Sequence, residues 1–88
     1  MKIFDNLNEG YKILKESNIS SYKIDCEILM SQTLKISREK LLLNLEKFIK
    51  KEEKDRFFNL VYRRKKNEPI AYIINSKSFW RDKFITNK

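Results

Sequence analysis

The sequence predicts an all-α fold, a small bundle of four to five helices followed by a short β-hairpin, on three observations. The 88 residues contain one Gly and one Pro, which leaves turn-rich β architectures without the residues their tight turns need and long stretches free to be helical. Apolar residues recur at three-to-four spacing through most of the chain. From residue 75 onward the pattern changes to short aromatic and β-branched clusters about a polar turn.

The elements follow in order. Ile3, Phe4, Leu7, Tyr11 and Leu14 share one helical face, which predicts a first helix from Ile3 to about Glu16. The stretch Ser17-Asn18-Ile19-Ser20 breaks it. Tyr22, Cys26, Leu29, Met30 and Leu34, with Ile24 and Ile28 widening the stripe, predict a second helix from Ser21 to Leu34. Ser37 is placed as an N-cap, with Ile36 and Leu41 at the spacing of a hydrophobic staple, so a third helix runs from Arg38 to about Leu45. The fourth spans roughly Lys51 to Lys66 and buries Phe57, Phe58, Leu60 and Val61. Its acidic residues Glu52, Glu53 and Asp55 lie near the positive N-terminal end, and Arg63 to Lys66 lie at the negative C-terminal end. Pro69 suits a first helical position, which predicts a short helical turn over Pro69 to Ile73 after a break at Asn67-Glu68. Ser78 to Trp80 and Lys83 to Thr86 read as two short strands about Arg81-Asp82, too small a hairpin to be stable alone. Residues 1–74 are therefore the helical domain and residues 75–88 a connector.

Length and composition bound the function. Eighty-eight residues make one small domain, and a hydrophobic content of 41% suffices for a single core. The net charge of +8 is uneven: residues 1–62 hold 12 basic and 10 acidic groups, residues 63–88 hold 8 and 2. Such a basic block attracts acidic partners, and less so as salt rises. A single cysteine, Cys26, has no internal disulfide partner, and the chain lacks the long apolar run of a signal peptide or membrane span, which points to the cytoplasm and away from a membrane.

Several chemistries fall away. With no His and one thiol, zinc centres and Cys/His or Ser/His nucleophiles cannot be assembled. The one glycine, Gly10, lies inside a predicted helix, so no phosphate-cradling loop or cofactor pocket is supported. Asp25 and Glu27 point to different faces of helix two, one expected to be solvated and the other paired with a basic residue of a neighbouring helix. Cys26 reads as a small buried hydrophobe. The run Arg63-Arg64-Lys65-Lys66 beside Tyr62 and Tyr72 reads first as a solvated helix end, then as a protein contact, and last as a nucleic-acid contact. Adjacent Phe79 and Trp80 in a strand face opposite ways, so at least one calls for contact with another domain or partner.

Two segments carry a resemblance to a known family. Ile24-Asp25-Cys26-Glu27-Ile28-Leu29 is similar to an Asp-Ala-Glu-Ile-Leu segment, and Arg63, Arg64, Glu68, Pro69, Ile70, Ala71, Tyr72 and Ile73, followed by Phe79 and Trp80, are similar to Arg-Arg, Gly-Glu-Pro-Ile-Ala-Tyr-Ile and Phe-Trp elements at the same spacing. Both belong to the first domain of the HemK/PrmC-type methyltransferases, which methylate the glutamine of the Gly-Gly-Gln loop of peptide chain release factors. Trp80 favours these over the related enzymes that methylate a large-subunit ribosomal protein. Asn67 and Asn75 stand where the family commonly has Gly, and Asn is the residue that best tolerates positive φ after Gly.

The resemblance implies a helper domain whose methyltransferase half, with its S-adenosylmethionine site and Asn-Pro-Pro-Tyr motif, would begin beyond Lys88. No catalytic, cofactor or metal residue is assigned to this chain. The residues it implies are Arg63 and Arg64 for polar contacts, Glu68 and Pro69 for the turn, and Tyr72, Phe79 and Trp80 for partner or interdomain contact. The implied partners are a class 1 release factor and the chain's own methyltransferase domain. The alternatives are a stand-alone basic module that binds nucleic acid, and a degenerate remnant.

Overall fold

The computed structural model describes residues 1–74 and contains five helices: α1 (Ile3–Glu16), α2 (Tyr22–Leu34), α3 (Arg38–Leu43), α4 (Lys51–Lys65) and α5 (Ile70–Ile74). Among the described residues there is no sheet. The hairpin expected over residues 75–88, with Phe79 and Trp80, lies outside them. Helices α1, α2 and α4 pack mutually, α3 lies on α2, and α5 lies against both α4 and α2. No helix among the described residues is long and apolar enough to cross a membrane.

The core follows the predicted stripes. Leu7, Leu14, Cys26, Leu29, Met30, Leu41, Phe57, Val61 and Ile73 are fully buried. Gly10 sits in the middle of this contact. A Cβ there would lie 3.0 Å from both the Cys26 sulfur and Cζ of Phe57, so the absence of a side chain lets α1 approach α2 and α4 closely. Three residues of the predicted stripes are less buried than their positions predict. Phe4 and Ile24 are about half exposed, because each lies at the edge of its helical face. Phe58 is half-buried and meets Phe57 edge to face, centroids 5.1 Å apart.

Helix starts match the expected chemistry. The Ser37 hydroxyl accepts the Lys40 N–H at 3.1 Å, and Ile36 and Leu41 both join the core. Glu53 reaches back to the Lys50 N–H at 2.9 Å, as Asp5 does to Lys2 at 3.3 Å, each closing half of a capping box. Ser21 precedes α2, and its hydroxyl donates to Asp25 at 2.8 Å instead of capping the helix. Helix α3 stops at Leu43, short of the expected Leu45, because the chain beyond it serves another element. Leu45 and Lys47 carbonyls accept the first N–H groups of α1, Phe4 at 3.0 Å and Ile3 at 2.8 Å. An antiparallel bridge between Lys2 and Phe48 completes that junction. Helix α4 ends one residue before the expected Lys66. Pro69 lies outside α5 and supplies the carbonyl that accepts the Tyr72 and Ile73 N–H groups.

Three helices end alike. Asn18, Lys35 and Asn67 adopt φ of 63°, 60° and 69°, and the next N–H reaches back five residues: Ile19 to Leu14, Ile36 to Ser31, Glu68 to Arg63. This left-handed cap satisfies terminal carbonyls and is normally the work of Gly. With one Gly in the chain, committed to the core, the caps fall to other residues. Asn pays little at positive φ, whereas Lys35 pays the full steric cost of its Cβ. Replacing Lys35 with Gly is therefore expected to stabilise the fold by about 1 kcal/mol, and Asn67→Gly by less. Urea denaturation at neutral pH measures both; an unchanged or lowered midpoint for Lys35→Gly would contradict this account of the cap.

Candidate functional site

The best-built polar site lies where α4 ends and the chain turns into α5. Consecutive helical residues diverge by about 100° around the axis, so Arg63 and Arg64 leave α4 in different directions. Arg64 turns towards α2: its Nε donates to Oδ2 of Asp25 at 2.8 Å, and its Nη1 donates to the backbone carbonyl of Glu68 at 3.0 Å. Arg63 folds over the turn: Nε and Nη2 donate to the two carboxylate oxygens of Glu68 at 3.0 and 2.8 Å. One fork thus grips α2 and the turn, and the other closes the turn on itself. Asn67 in its left-handed conformation makes the geometry reachable.

These contacts differ in depth. The Asp25 side chain is 5% exposed and that of Arg64 17%, against 30% for each of Arg63 and Glu68. Removing one member of the deeper pair strands a buried charge, which costs far more than losing an exposed ion pair. The Glu68 carboxyl is held below its usual range, chiefly by its hydrogen bonds from Arg63. The Arg63 guanidinium is correspondingly raised.

A second polar cluster, two residues further along α2, joins that helix to α1 and α3. Glu27 accepts the Arg38 Nε at 2.7 Å and the Tyr11 hydroxyl at 3.2 Å, and Tyr11 packs edge to face on Tyr22. Burial, then the Glu27 charge, raises the Tyr11 hydroxyl pKa. Asp25 and Glu27 are therefore both paired with arginines of neighbouring helices, where the sequence reading expected one of them to be solvated. Between them Cys26 is buried, its thiol pushed up to about 12 by burial and then by the two flanking carboxylates, so it stays neutral at physiological pH.

The basic run divides in two. Arg63 and Arg64 are engaged within the fold, while Lys65 and Lys66 are exposed; the Lys65 Nζ lies 5.8 Å from the centroid of the Tyr62 ring. This corrects the reading of a uniformly solvated helix end. Tyr72 is 64% exposed and Pro69 is also exposed, while Ile73 beside them is buried. Phe79 and Trp80 lie outside the described residues. Among those residues no cluster of His, Cys, Asp and Glu could hold a metal ion. Sequence reasoning missed Asp25 as the partner of Arg64, since the two are 39 residues apart. The only available signal was a carboxylate on the core-facing side of α2, which a helical wheel assigns to a buried position.

The Glu68 tie has a pH signature with a definite sign. A carboxyl whose folded-state pKa lies below its unfolded value adds stability above the unfolded value, about 4.3, and loses it as pH falls through the folded value. Glu68→Gln is expected to melt below the parent chain at pH 7, with the gap closing as pH falls below about 4. Melting curves of both chains across pH 3 to 7 check this, and a constant gap would contradict it.

Comparison with known proteins fits this geometry. A family model described as the PrmC N-terminal domain matches residues 5–74. A release factor glutamine methyltransferase of Clostridium botulinum is 42% identical over 79 residues, covering 90% of this chain and 28% of that protein. One from Leptospira interrogans is 34% identical over 82 residues, 93% of this chain and 29% of that protein. A bifunctional methyltransferase of Rickettsia bellii is 38% identical over 82 residues, 93% of this chain and 15% of that protein. The chain thus spans less than a third of the length of these relatives. No solved structure matches it with significance. The matched span coincides with the five helices and takes in Asp25, Arg63, Arg64 and Glu68, and the chain belongs to the PrmC N-terminal domain family.

Proposed function

We propose that this chain is the substrate-recognition and bracing domain of a release factor glutamine methyltransferase, and that it performs no methyl transfer by itself. The observation that carries the reading is the match of residues 5–74 to the PrmC N-terminal domain, together with relatives whose names state the release factor as substrate. The geometry supports the bracing role. Arg63, Arg64, Glu68 and Asp25 fix the turn that sets α5 against α4 and α2. In this reading S-adenosylmethionine and the glutamine of the Gly-Gly-Gln loop are held by a methyltransferase domain. Tyr72, Phe79 and Trp80 meet that domain or the substrate, and Pro69 sets the turn. The setting is the cytoplasm, where translation terminates.

One observation favours a second reading. Tyr62 is exposed with the Lys65 ammonium 5.8 Å from its ring centroid, and Lys66 and Tyr72 are also exposed, a combination of aromatic rings and ammonium groups that suits single-stranded nucleic acid. A direct comparison separates the two. The chain is titrated, by fluorescence anisotropy, with a purified class 1 release factor and with poly-uridine, and a parallel reaction with S-adenosylmethionine is read by mass spectrometry of the Gly-Gly-Gln peptide. Saturable binding to the release factor without methylation is expected. Methylation by this chain alone would contradict the non-catalytic role. Binding only to poly-uridine, falling steeply with salt, would replace the reading with the second one, and binding to neither would mark a degenerate remnant.

A further inference from the structure

We draw no further inference here: the strongest candidate, the exposed apolar corner of Phe4 at the start of α1, Leu43 at the end of α3 and Phe48 in the loop before α4, carries none, because the exposed carboxylates of Glu39 and Glu52 offset the lysines around it and nothing in the structure shows what covers it.

Discussion

The buried pair between Arg64 and Asp25 is the constraint on which the arrangement of α2, α4 and α5 depends. A hydrophobic contact could hold α4 on α2, but it would leave the direction of the following turn free. The planar guanidinium does both, because Nε is committed to a carboxylate on α2 while Nη1 is committed to the Glu68 carbonyl inside the turn. A lysine offers a point charge without that fork and could not span both acceptors. Buried ion pairs often add little net stability over a well-packed apolar alternative. What this one supplies is register: the end of α4, the turn and the start of α5 are fixed relative to α2, and Ile73 is delivered into the core.

A second constraint acts at the centre of the bundle. Gly10 permits the close approach of α1 to Cys26 and Phe57, both of them fully buried. Spending the chain's one glycine on packing has a consequence elsewhere. The left-handed helix ends must be made by Asn18, Lys35 and Asn67. Core geometry and cap chemistry are therefore linked through a composition with almost no glycine.

Helix positions were legible in the sequence because each depends on short-range signals: the apolar stripes, the Ser37 cap, the acidic start of α4 and the Pro69 turn. The fourth helix and the third helix start agree with the structure to within a residue. What could not be read depends on partners far apart in sequence. Helix α3 ends early because Leu45 and Lys47 turn their carbonyls to α1, which no local pattern announces. Arg64 looked like one of four similar basic residues until Asp25 was placed opposite it. Asp25 and Glu27 looked interchangeable, yet each has its own arginine. The exposed Leu43 and Phe48 were invisible for the opposite reason, since an apolar residue in sequence carries no mark of failing to find cover.

Together these features describe a small helical bundle in which one polar tie fixes the turn from α4 into α5 relative to α2. The account depends most on the claim that Asp25 and Arg64 act as one unit. A double-mutant cycle with Asp25→Ala, Arg64→Ala and the combined change, read by urea denaturation at pH 7, tests it most directly. Each single change is expected to cost about 3 to 5 kcal/mol, because it strands a buried charge, and the double change to cost clearly less than the sum. Single costs that add to within about 0.5 kcal/mol would mean that the two residues act independently, and would contradict the account.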